Sequence, residues 1–227
     1  MPVNTETYKQ IIDELNASNV TLVAVSKTKP VSNIQELYQL GQREFGENYV
    51  QELTEKQSQL PNDIHWHFIG HLQSNKVKMI APFVYLIHGV DSFKLLKEIN
   101  KQAEKNNRTI DCLLQIHIAQ EETKFGFDET ELNDLFINQQ SEIESLKNVC
   151  VKGFMGMASF TEDVNKVKAE FHQLGSLFKK YKSLSLQNIN LTTLSMGMSG
   201  DYKIAVEEGS NMVRIGSLLF GAREYQK

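Results

Sequence analysis

The sequence is short of several things, and each shortage removes a class of protein. It has two cysteines, Cys112 and Cys150, neither in a Cys-x-x-Cys nor beside a histidine at zinc spacing. That leaves no disulfide framework and no zinc ribbon to hold the chain. Both sit in apolar, strand-like runs and read as buried reduced thiols. The longest apolar run, residues 79–87, is broken by Pro82 and is too short to span a bilayer. The first residues lack the basic stretch and apolar core of a secretory leader, so a cytoplasmic protein is expected. There is no excess of basic charge either: 24 Lys and Arg against 28 Asp and Glu give a net charge of −4. Nucleic-acid phosphates call for the opposite balance, so no nucleic-acid partner is expected.

What remains is an ordinary globular composition, 41% hydrophobic over 227 residues. A chain of that length buries roughly 70% of its extended surface and needs no metal or disulfide for stability. Short apolar runs alternate with helical patterns, the signature of βαβ units and a parallel sheet. Strands are predicted at 21–26, 44–46, 65–70, 83–88, 111–118, 149–155, 191–195 and 212–215. A helix is predicted ahead of them at 5–17, and others near 33–40 (with Ser32 as N-cap), 49–59, 75–80, 89–106, 129–138, 164–181 and 202–208. The fold class is therefore α/β, a single (β/α)8 TIM-like barrel with an extra N-terminal helix. The competitor is an open doubly wound sheet with its Gly-x-Gly-x-x-Gly fingerprint. The nearest stretch, Gly153-Phe154-Met155-Gly156, lacks that spacing.

In a barrel, chemistry sits at the C-terminal strand ends, and phosphate is often held after strands seven and eight. The first strand ends in Ser26-Lys27-Thr28-Lys29-Pro30, placing a lysine amine at the mouth. Strand alternation puts Lys27 and Lys29 on one face and does not choose between them. Asn48 follows the second strand, either to bond a polar ligand or to cap the next helix. His65, His67 and His71 suggest a metal, but no neighbouring carboxylate or cysteine in the sequence completes a ligand set, so none is expected. The seventh strand ends in Ser195-Met196-Gly197-Met198-Ser199-Gly200-Asp201, and the eighth in Val213-Arg214-Ile215-Gly216-Ser217. Two glycine-and-hydroxyl loops on adjacent strands predict a phosphate cradle. Arg214, a charge inside an apolar strand, must be paired or functional. An amine, a phosphate cradle and a buried arginine suit a phosphorylated aldehyde held as a Schiff base. Pyridoxal phosphate and a sugar-phosphate aldehyde both meet that description.

These motifs resemble the pyridoxal phosphate homeostasis proteins, single-domain relatives of the alanine racemase N-terminal barrel. The matching stretches run in order from about residue 20 to the end: 24–30, 45–52, 67–76, 153–157, 194–199, 213–217 and 220–223. Ser217 stands where the family commonly has threonine, and keeps the hydroxyl. The resemblance implies one such domain over residues 1–227, with pyridoxal 5'-phosphate (PLP) as cofactor. Lys27 would form the Schiff base, and Ser199, Gly216 and Ser217 would hold the phosphate. Arg214 would face the pyridine nitrogen and Asn48 would lie beside the ring. An arginine there keeps that nitrogen unprotonated and the ring a weak electron sink.

A racemase of this type needs a group on each face of the substrate carbon, the second supplied by a tyrosine of a separate C-terminal β-domain. The sequence ends soon after the eighth strand, and Tyr225 is too close to that strand to substitute. A monomeric carrier without robust turnover is thus expected, with PLP-dependent apo-enzymes or amino acids as acceptors and no membrane partner. A low-activity racemase or decarboxylase and a Schiff-base aldolase are the alternatives. Lys124, after the fifth strand, is a candidate second docking site.

Overall fold

The computed structural model describes residues 3–119, 126–184 and 186–221. Strands β1 (Thr21–Val25), β2 (Glu44–Glu47), β3 (His65–Phe68), β4 (Leu86–Val90), β5 (Ile110–Gln115), β6 (Val149–Met155), β7 (Ile189–Met198) and β8 (Met212–Ile215) pair in sequence order. Every pairing is parallel, and β1 against β8 closes the barrel, with Ala24 opposite Ile215. The doubly wound alternative is thereby excluded.

Helix α1 (Thr5–Ala17) precedes β1, as expected; the Asn4 side chain accepts from the Thr7 N–H at its start. The other helices are α2 (Val31–Gln39), α3 (Val50–Gln57), α4 (Val77–Ile80), α5 (Phe93–Lys105), α6 (Glu129–Asn133), α7 (Gln140–Glu144), α8 (Val164–Tyr181), α9 (Tyr202–Glu207) and α10 (Ser217–Phe220). Several local expectations fail. Helix α2 begins at Val31 with Pro30 in the cap position, so Ser32 lies inside the first turn instead of capping it; proline's fixed φ suits a helix start. Strand β4 begins three residues later than predicted, because Phe83 and Val84 close the turn after α4; an apolar run alone does not say where turn becomes strand. The helix predicted over 129–138 divides into α6 and a wider π-turn over Asp134–Asn138.

The strands separate two cores. Outside, the helices bury a continuous apolar shell containing Phe45, Phe68, Phe136, Phe154, Phe171 and Phe220, all 1% exposed or less. Inside the barrel a smaller apolar cluster, Val23, Leu86, Leu113, Met155 and Met212, shares the space with His67, His88, Ser195 and Arg214. Cys112 is buried and Cys150 only half-buried, which corrects the expectation for the second thiol. Burial raises both thiols above their usual range, favouring the protonated form. No helix among the described residues is long and apolar enough to cross a membrane.

Candidate functional site

Each predicted site residue among those described lies toward or beyond the C-terminal end of its strand. Lys27, half-buried, is in the turn after β1; Asn48 follows β2; Ser199 follows β7; Arg214 is in β8, and Gly216 and Ser217 come directly after it. The β1–β8 seam brings the first and last of these loops together. A Cβ added to Gly216 would lie 3.2 Å from the Val25 carbonyl oxygen, two residues before Lys27, so the backbones meet closely there. The Gly216 N–H donates to Ser199 Oγ at 3.3 Å, uniting the two predicted cradle loops. Ser217 is exposed at the start of α10. Asn48 lies toward the other side of the mouth, on a cavity of about 380 Å³ also lined by Gly70, His71, Gln115, His117 and Met198. Lys124 and Tyr225 fall outside the described residues.

The turn after β1 distinguishes the two lysines. Thr28 takes a left-handed conformation, φ 61°, which ends strand alternation before Lys29 is reached. Lys29 Nζ donates to the Phe220 carbonyl at 2.8 Å, tying the loop to α10. A buried ionic cluster braces the same turn from behind. Lys56 Nζ on α3 donates to the Ser26 carbonyl, to Glu47 Oε1 and to Glu52 Oε1, each at 2.7 Å. Glu52 Oε1 in turn accepts from the Thr28 N–H at 2.6 Å. Burial pushes the Glu47 carboxyl up to about 7, against the lowering effect of Lys56 and Ser26. The stretch Phe45–Glu52 therefore serves two ends: Glu47 and Glu52 hold the lysine-bearing turn, while Asn48 reaches the mouth. Neither acid is identified from sequence, where Glu47 falls just past the predicted second strand.

Asn48 Oδ1 is buried with no hydrogen-bond partner among the described residues, and Tyr49, not Asn48, occupies the cap position of α3. Of the two readings of Asn48, the capping one is excluded and an unmet acceptor is left at the cavity. Arg214 is 4% exposed. Its Nη1 donates to the Ser195 carbonyl at 2.9 Å and to Ser195 Oγ at 2.7 Å, and its Nη2 to the Gly156 carbonyl at 3.0 Å. Burial lowers its proton affinity to about 10, partly offset by the charge of Asp201, so the cation persists at neutral pH.

Strand β7 runs three residues beyond its predicted end, with Gly197 at φ 95° where a Cβ would stand 2.6 Å from Ala205 Cβ of α9. That extension divides the two predicted cradle serines: Ser199 stays in the loop, and Ser195 points into the barrel at Arg214. The histidines are also redistributed. Glu44, on the neighbouring strand, supplies the carboxylate that the sequence around them lacks, bonding His65 Nδ1 at 2.6 Å and His67 Nε2 at 2.5 Å. Burial alone would raise the Glu44 carboxyl, but these two partners outweigh it and hold it below its usual range. His71 instead faces Asp91. No group of three or more His, Cys, Asp or Glu among the described residues is arranged for a metal ion.

Comparison with known proteins identifies the family and the fold. The family model for the alanine racemase N-terminal domain matches residues 4–224. A curated pyridoxal phosphate homeostasis protein of Pasteurella multocida (strain Pm70) is 41% identical over 215 residues, covering 92% of this chain and 89% of its own length. The chain belongs to this family. A second member, from Aquifex aeolicus (strain VF5), is 42% identical over 205 residues, covering 90% of this chain and 87% of its own. Among solved structures, PipY of Synechococcus elongatus PCC7942 with PLP bound superposes with a TM-score of 0.84 at 34% identity, covering 95% of this chain and 99% of that one.

Proposed function

We propose that the chain binds PLP at the C-terminal mouth of its barrel, held as a Schiff base on Lys27, and stores and delivers it within the cell without robust turnover of its own. The observation that carries this reading is the β1–β8 seam. There the lysine-bearing turn, the Ser199–Gly216 contact and the buried Arg214 cation converge within adjacent strands. PLP fits each. A phosphate ester suits the N–H groups and hydroxyls of Ser199, Gly216 and Ser217. The Arg214 guanidinium suits an unprotonated pyridine nitrogen, and the unmet Asn48 Oδ1 provides an acceptor beside the ring. Bound there, the aldehyde supplies an electrophile for amines: Lys27 to retain it, or an amine of an amino acid or apo-enzyme to accept it. Residues 1–227 act as one domain in this reading, as a monomer in the cytoplasm.

Arg214 also bears on turnover. A cation that persists up to about pH 10 denies the pyridine nitrogen its proton. The bound ring would then be a weak electron sink, which favours a carrier over a racemase or transaminase. The brace from Lys56 to the Ser26 carbonyl and from Glu52 to the Thr28 N–H fixes the turn that presents Lys27.

The test is the visible absorption of the purified protein with added PLP, followed by borohydride reduction and peptide mass mapping. Wild type should show a band that reduction traps on Lys27. Lys27→Ala should lose the trapped adduct and Lys29→Ala should keep it. Absence of a band in wild type overturns the reading and makes sugar-phosphate aldehydes the next ligands to try. Rapid racemisation of amino acids by the loaded protein overturns the carrier assignment alone.

A further inference from the structure

Five side chains from five strands form a continuous hydrogen-bonded row through the barrel interior. Glu44 of β2 meets His67 Nε2 of β3 at 2.5 Å, and His67 Nδ1 meets His88 Nε2 of β4 at 2.8 Å. His88 Nδ1 meets Ser195 Oγ of β7 at 3.2 Å, and Ser195 Oγ accepts from Arg214 Nη1 of β8 at 2.7 Å. His67, His88 and Ser195 are wholly buried, and Glu44, a quarter exposed, begins its strand at the end opposite the mouth.

One direction of donation satisfies every member of the row. Arginine only donates, so Ser195 Oγ accepts from Arg214, and in that direction its own O–H goes to His88 Nδ1. His88 sits in a site that favours the neutral ring, chiefly through burial and also through the Arg214 charge. A neutral His88 accepting at Nδ1 carries its proton on Nε2 and donates to His67 Nδ1. His67 then donates from Nε2 to the Glu44 carboxylate. Both histidines are held in one tautomer by a cation at one end and an anion at the other. Among the described residues Arg214 itself bonds only neutral oxygens, two carbonyls and the serine hydroxyl. The arrangement occupies three Arg214 N–H groups and leaves Nε–H and one Nη2–H for a ligand.

Resting on the PLP reading above, we propose that Glu44, His67, His88 and Ser195 are positioning residues for Arg214, a one-way hydrogen-bond relay that sets which of its donors face the cofactor's ring nitrogen. The relay is a fixed frame, present before any ligand arrives. Glu44 touches nothing at the mouth, so an effect of Glu44 on ligand binding has to travel through the row.

Two measurements test it. Nitrogen-15 NMR of histidine-labelled, ligand-free protein should show His88 carrying its proton on Nε2, toward His67 Nδ1. A proton on His88 Nδ1 overturns the relay. In PLP titrations, Ser195→Ala should weaken binding about tenfold, the scale of one hydrogen bond to a charged group. Glu44→Gln, which keeps shape and removes only the distant charge, should weaken it by about threefold while unfolding at nearly the wild-type temperature. Wild-type affinity in both variants overturns the relay and leaves the PLP reading standing. Failure of wild type to bind PLP overturns both.

Discussion

The same eight strands serve two cores that are built on opposite principles. Between strands and helices, the packing is apolar and non-directional: Phe154 on β6 meets the rings of Phe136, Phe178 and Tyr181 at centroid distances of 6.4, 6.0 and 6.2 Å, the first stacked and the other two edge-on. Inside the barrel, Leu86 and His88 alternate on one strand and Met212 and Arg214 on another, so each apolar residue is followed two places on by a polar one at a specified partner. The outer core needs volume filled, and many side-chain sets do that. The inner core needs donors matched to acceptors, and few sets do that, because a buried polar group left unmatched costs about 1–3 kcal/mol. Stability is therefore concentrated outside and specification of the site inside.

That division can be broken from either side. Phe154→Ala should have the largest effect on stability, about 3–5 kcal/mol in denaturant unfolding, through lost transfer energy and the cavity left behind. PLP affinity per folded molecule should be unchanged; a parallel loss of affinity would show that the two cores are not separable. Next comes the cluster behind Lys27. Burial lifts the Glu47 carboxyl from an ordinary 4.5 to about 7, so the folded chain holds its proton more strongly than the unfolded one. Its contribution is then complete below pH 4.5 and lost as pH rises through 7. Unfolding free energy should carry a falling component of at most ~3 kcal/mol over that window. Glu47→Gln should flatten it, and an unchanged pH profile would place the titration elsewhere.

Removing His88 sharpens the contrast. His88→Leu should cost only about 1–3 kcal/mol of stability, since a leucine fills most of the volume while Ser195 and His67 lose a partner. PLP binding should fall by more than stability does, the reverse of Phe154→Ala. At the small end, the exposed Lys97–Glu142 pair at 2.7 Å bridges α5 and α7 over the outer surface. Lys97→Ala should change unfolding free energy by no more than about 0.5 kcal/mol and leave binding untouched.

Much of this organisation is written in local sequence. Strand β6 and helix α8 have the bounds their periodicity predicts, because long uninterrupted patterns leave little room for another state. The positions of Lys27, Asn48, Ser199, Arg214, Gly216 and Ser217 at strand ends were readable for a related reason: parallel βα order alone decides which loops share the mouth. Boundaries failed where two structures compete for one apolar run, as at Phe83 and Val84, or where a glycine hides a strand's continuation, as at Gly197. A cradle role for Ser195 failed with it, since that serine belongs to the interior, whereas Ser199 stays in the loop.

The sequence by itself determined the eight-fold alternation, the closed barrel it implies and the end at which chemistry sits, because hydrophobic period and chain order are local properties. Only the tertiary structure decided that Glu44, His67, His88, Ser195 and Arg214 form one row and that Lys56 reaches behind the Lys27 turn. Ser195 and His88 are 107 residues apart. They meet because the stagger of eight strands on closure fixes which inward positions share a level, a quantity belonging to the whole ring and to no single segment of it.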